Sequence, residues 1–209
     1  MINCTNLTAG VILSICLISG QAIAEGNRLF ITQDSSLNLG LGNTLFVDQS
    51  LASDSIVSGA LNAETAATQV GGGNFANVEV TSSGAQVALN QVNTGVGAGN
   101  SANVDLSGLL ATGTLNQIGY GNIGSIDVSG VRSNALLQQV GDRNNGTVNV
   151  SGTGSTGELV QEGNDNTTSL SVVGSNTTVV FTQEGNNIIS AGPTVTSNNG
   201  GTVIINRSN

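Results

Sequence analysis

The sequence contains no histidine, no lysine and no tryptophan, and only one proline and one tyrosine. Each absence removes a class of function. Without histidine there is no imidazole for metal binding, for a catalytic triad or for acid–base work near neutral pH. Four arginines face thirteen acids, giving a formal net charge of −9. That excludes the basic footprint a nucleic-acid binder needs. Charged residues make up only 8% of the chain and mean hydropathy is +0.14, which fits poorly with disorder. What is present is Gly, Asn, Ser, Thr and Val, including 30 glycines. This polar, uncharged, β-branched mixture suits stacked β-structure better than a core built on aromatics.

An apolar run from Leu7 to Ile18 is followed by Ala22-Ile23-Ala24. The run is too short to span a bilayer, and the A-x-A triplet marks a cleavage site, so residues 1–24 are expected to be a signal peptide. Both cysteines, Cys4 and Cys16, fall inside that segment, which leaves the exported chain from Glu25 without a disulfide framework. No transmembrane span is expected elsewhere.

The remainder is organised by a repeat. Gln69, Gln91, Gln117, Gln139, Gln161 and Gln183 are spaced 22, 26, 22, 22 and 22 residues apart. The long interval reflects a four-residue insertion in the turn before Asn100, at Val92 to Gly99. An Asn follows five residues after Gln at Asn74, Asn122, Asn144 and Asn166, and Asn100 joins them once the insertion is removed. Within each copy the pattern is period two, read as strand, turn, strand, turn. Two positions before each Gln stand Ala67, Leu89, Leu115, Leu137, Leu159 and Phe181. The second strand presents Val78/Val80, Val104/Leu106, Ile126/Val128, Val148/Val150 and Leu170/Val172. One such unit cannot bury its apolar face alone, whereas stacked copies can.

The fold expected is therefore all-β, a β-solenoid of about six 22-residue rungs with parallel strands roughly 4.8 Å apart. Each Gln would lie over the next, so that buried amides satisfy one another in a ladder. A β-sandwich is the alternative, but it gives no reason to repeat Gln every 22 residues. Residues 25–62 fit the period less well. Leu29 to Gln33 with Asn38, and Leu45 to Gln49 with Asp54, both mimic a repeat start. The stretch is read as degenerate rungs, a cap or a recognition segment. Residues 63–192 hold the repeats. Residues 193–209 are read as a C-terminal cap, with Pro193 interrupting pairing and a last strand over Thr202 to Asn206.

The repeat resembles that of the curlins, the subunits of bacterial curli fibres. In that family Ser, Gln, Gly and Asn recur in the register occupied here by Ser133, Gln139, Gly141 and Asn144, and by Ser155, Gln161, Gly163 and Asn166. Gln69, Gly71, Asn74 and Ala76 match in the first full copy, and Gln117, Gly119 and Asn122 in the third. The family's second Gln is an aliphatic residue here, at Val80, Leu106, Val128, Val150 and Val172, so one Gln column stands where the family has two. The resemblance implies a secreted, self-assembling amyloid subunit of a cell-surface fibre in biofilm and adhesion. It also implies a nucleating subunit and an outer-membrane export channel as partners, and neither catalysis nor a cofactor. The competing function is a non-polymerising adhesin or carbohydrate-binding solenoid; a polysaccharide enzyme is more distant.

Other features receive plainer expectations. Glu79, Asp105 and Asp127 share an outward position on successive rungs and are read as solvated charge rather than a cation site. Glu162 and Glu184 stack outward, with no cleft to make them a glycosidase pair. Gly95 to Gly99 is an insertion without the strand–helix context of a phosphate loop. Tyr120 and Phe75 are expected as isolated exposed aromatics, and Asp142 with Arg143 as a turn pair.

Overall fold

A computed structural model describes residues 14–16, 26–35, 41–197 and 200–209. The expected cleavage site at Ala22 to Ala24 and the expected turn residue Asn38 lie outside them. Alternating apolar and polar residues between Gly-, Ser- and Asn-rich corners make short strands throughout. In chain order these begin with β1 (Ser14–Cys16), β2 (Arg28–Leu29), β3 (Ile31–Asp34), β4 (Thr44–Asp48), β5 (Ile56–Ser58) and β6 (Ala67–Val70). There follow β7 (Phe75–Val80), β8 (Gln86–Val92), β9 (Ser101–Leu106), β10 (Thr112–Ile118), β11 (Ile123–Val128) and β12 (Asn134–Val140). The last are β13 (Asn145–Val150), β14 (Thr156–Glu162), β15 (Thr167–Val172), β16 (Thr177–Glu184), β17 (Thr194–Val195) and β18 (Gly201–Ser208).

Every pairing is parallel, and no helix occurs among the described residues. The strands build a β-solenoid of two sheets. Sheet A runs β1-β4-β7-β9-β11-β13-β15-β17, and sheet B runs β18-β16-β14-β12-β10-β8-β5-β2, with β3 and β6 continuing it beside β8. Each coil crosses once from sheet B to sheet A. The register is the one the repeat requires: Gln91, Gln117, Gln139, Gln161 and Gln183 are successive partners in sheet B.

The core is the narrow space between the sheets. Sheet B contributes the column Leu89, Leu115, Leu137, Leu159 and Phe181, and sheet A the pairs from Val78/Val80 to Leu170/Val172, all essentially inaccessible. Burying each Leu contributes about 1.5–3 kcal/mol. The column also dictates small residues opposite Gln, where Ala76, Ala102, Gly124 and Gly146 stand. A Cβ added to Gly146 would come within 2.6 Å of Gln161 Oε1. The Gly two residues after Gln117, Gln139 and Gln161 has its own reason. Gly119, Gly141 and Gly163 hold φ of +122°, +112° and +106°, and each packs on the carbonyl of the next, leaving no room for a side chain.

Strands β2, β3 and β4 belong to a first coil. Thr44–Asp48 is the sheet A strand of that coil, paired with β7, and not a second Gln-bearing start. Gln49 accordingly lies in a corner and donates to Ser55 Oγ at 2.7 Å. Asp54 is a left-handed corner residue with φ of 52°. Pro193 accepts a bond from Ser171 N at 3.0 Å and precedes β17, which is only two residues long. The final strand is longer than expected, with all eight residues of β18 paired to β16. No helix among the described residues is long and apolar enough to cross a membrane.

Candidate functional site: stacked side-chain ladders

A primary amide carries two N–H donors and an oxygen that accepts twice, so burying one demands several partners. The solenoid supplies them by repetition. Nε2 of Gln69, Gln91, Gln117, Gln139 and Gln161 donates to Oε1 of the next Gln at 2.7, 2.8, 2.8, 2.9 and 3.0 Å. The second N–H crosses the core to a sheet A carbonyl: Thr44, Phe75, Ser101, Ile123 and Asn145 in turn. Gln183 ends the series by donating to Ile188 O at 2.9 Å. Each Gln is thus tied along the axis and across the core, and all six are buried. Gln33 extends the ladder downward by donating to Gln69 Oε1.

The asparagines form a second ladder with a different wiring. The Oδ1 of Asn74, Asn100, Asn122 and Asn144 accepts the backbone N–H of the Asn one coil on, at 2.9–3.1 Å. Asn166 Oδ1 accepts Ile188 N at 3.0 Å. The Nδ2 of Asn100, Asn122, Asn144 and Asn166 reaches Gly119, Gly141, Gly163 and Gly185 carbonyls of the following coil. This ladder locks one corner of every coil. Its lowest member is Asn43, which accepts both Asn74 N and Asn74 Nδ2. Asn43 lies ten residues after Gln33, so the five-residue rule could not reveal it.

Two further ladders went unrecognised in the sequence. At the opposite corner Ser133, Ser155 and Thr177 are buried. Ser133 Oγ donates to Gly152 O and accepts Ser155 N, and Ser155 Oγ does the same toward Gly174 O and Thr177 N. On the outside, Asp142, Asn164, Asn186 and Asn209 accept the backbone N–H of Tyr120, Asp142, Asn164 and Asn186 through Oδ1. Their spacings of 22, 22 and 23 carried the signal.

The acidic column is in register, with Glu79 beside Asp105 and Asp105 beside Asp127, and Asp48 extends it below Glu79. Burial, then the charges of Asp127 and Glu79, push the Asp105 carboxyl above its ordinary value. Asp48 is held below its own by hydrogen bonds from Ser50. No cluster among the described residues has the arrangement of a metal site. Glu162 and Glu184 are adjacent and exposed on the outer face of sheet B.

The corner pair is not the one expected. Arg143 grips Asp165 one coil on, with two bonds of 2.7 Å, while donating to Tyr120 Oη at 2.5 Å. The hydrogen bonds with Asp165 raise the guanidinium pKa and lower that of the carboxyl. Tyr120 is therefore no isolated ring, since the Arg143 guanidinium lies 5.5 Å from its centroid. Phe75 likewise has a neighbour in Phe46, at 5.8 Å between ring centres.

No known family, curated protein or solved structure matches the chain.

Proposed function

We propose that the chain is an exported structural subunit of a curli-like extracellular fibre, assembling by continued stacking of coils. One observation carries this reading: sheet B ends at β18 with an open strand edge that no described residue covers. β18 hydrogen-bonds to β16 on one side only, and nothing among the described residues pairs with its other side. An unpaired strand edge templates the addition of another strand. The contacts between coils use columns of like residues, so a coil from a second chain can supply what the next coil of the same chain supplies.

Export rests on the A-x-A triplet, and the fibre setting on the curlin-like register of Ser, Gln, Gly and Asn. A nucleating subunit and an outer-membrane channel belong to the same reading. The ladders are the functional elements, and no side chain acts as a catalyst or holds a cofactor. Purified chain from Glu25 onward is expected to form SDS-resistant, thioflavin-binding fibres on incubation. A soluble monomer unchanged for weeks at high concentration would overturn the proposal.

A further inference from the structure

The Gln ladder has a direction. In every pair the lower Gln donates and the upper Gln accepts, so the two ends differ chemically. At the bottom, Gln33 spends its donor on Gln69, and its Oε1 is buried without a hydrogen-bond partner. A buried, unpaired carbonyl oxygen is costly and is expected to find a donor. At the top, the residue in register above Gln183 is Arg207, which has five N–H donors and no acceptor. One end of the column lacks a donor, and the other offers only donors.

The strands at these ends match. Through the pairing of successive strands, Leu29 stands in the column of Val203, Ile31 in that of Ile205, and Gln33 in that of Arg207. Residues 28–34 and 202–208 are thus in register over their whole length, apolar against apolar at the inward positions. Val203, at an inward position, is 36% exposed on the open edge, and Ile204, on the outer face, is 67% exposed. In the uncleaved chain the ends are also staggered. β1 extends sheet A one level below β2 and β3, and β18 extends sheet B one level above β17. The two half-levels fill one another, although the sheet B pairs do not require β1.

We propose that a second copy of this chain docks its 28–34 edge on β18, with the Gln33 amide of that copy turning its Oε1, buried in the single chain, toward the junction to accept a hydrogen bond from Arg207 of the first. This rests on the stacking reading above and adds to it a register, a polarity and a specificity residue. Two bottom ends brought together would present two acceptors. Two top ends would present two guanidinium groups that repel. Only head-to-tail contact closes the ladder, and a heterologous contact of that kind yields an open filament.

The test uses the full chain with Cys4→Ser and Cys16→Ser, in two variants, one carrying Thr32→Cys and the other Asn206→Cys. Both positions are exposed on the outer face of sheet B and share one column. Assemblies are treated with a short thiol-reactive cross-linker and run on a denaturing gel. Mixed assemblies are expected to give dimers linked between positions 32 and 206, and neither variant alone should give them. Dimers from a single variant, or fibres without the mixed dimer, overturn the junction while leaving the fibre reading intact. A chain that sediments only as monomer overturns both. Separately, Arg207→Leu is expected to slow elongation about tenfold or more, because it leaves Gln33 Oε1 without a donor. Faster growth in that variant would mean that Arg207 blocks stacking, and would overturn the assignment.

Discussion

Gln139 sits at the middle of a chain of amides, and its loss would strand several groups at once. Gln139→Leu leaves Gln117 Nε2, Gln161 Oε1 and Ile123 O each short of a bond. Unsatisfied buried groups cost about 1–3 kcal/mol apiece, so a loss of about 2–4 kcal/mol is expected after relaxation. Adding Gln117→Leu should cost less than a second equal amount, because the two side chains share a bond. Asp142→Asn preserves the Oδ1 that accepts Tyr120 N and should stay within about 0.5 kcal/mol of the parent. Guanidinium denaturation of the soluble chain measures all three. Thr168 offers the opposite case. It occupies the small-residue position facing the Gln column, and its buried hydroxyl has no hydrogen-bond partner. Thr168→Ala should be neutral or stabilising by up to about 1 kcal/mol in the same assay.

At the level of strands and corners, the coil repeats its backbone more faithfully than its residues. One corner holds a left-handed residue in each coil: Asp54, Gly84, Leu110, Arg132, Gly154 and Asn176. Gly, Asn and Asp adopt this conformation readily, whereas Leu110, at φ 57°, does so against its Cβ. Leu110→Gly should raise the denaturation midpoint by an amount equivalent to about 1 kcal/mol, and a fall would show that Leu110 packing outweighs the strain. The acidic column makes a pH prediction. The folded-state pKa of Asp105 lies above its ordinary 3.8, so its protonated form favours the coil. That favourable term is complete below the unfolded value and is lost as pH rises through the folded value. Asp105→Asn should therefore stabilise the chain at pH 7, and the gain should shrink on acidification toward pH 3. A gain independent of pH would assign the effect to packing instead.

The same repetition explains what could be read from the sequence. Strand phase, the Gln register and the inward Leu and Val columns follow from a constant spacing, because in a solenoid that spacing is the contact map. Where the spacing breaks, the reading breaks with it. The longer sequence interval between Gln33 and Asn43 hides Asn43, and the alternation of Leu45, Phe46 and Val47 makes a sheet A strand look like a new repeat. Adjacency in the sequence pairs Arg143 with Asp142. In a stacked fold the residue one coil away lies nearer its side chain than the adjacent one does, hence Asp165.

Across the whole molecule, scarce charge and abundant amide work together. A buried charge at each coil would repel its neighbour at roughly 4.8 Å, whereas an amide attracts its neighbour at that distance and passes the same demand onward. Coils stacked in this way leave an open strand edge at β18. The fibre reading follows from that, and so does its most direct check, which is X-ray diffraction from aligned assemblies of the purified chain. The expected pattern has a meridional reflection near 4.8 Å from parallel strands stacked along the fibre axis. An equatorial rather than meridional 4.8 Å reflection, with strands running along the fibre, would contradict stacking of coils as the mode of growth.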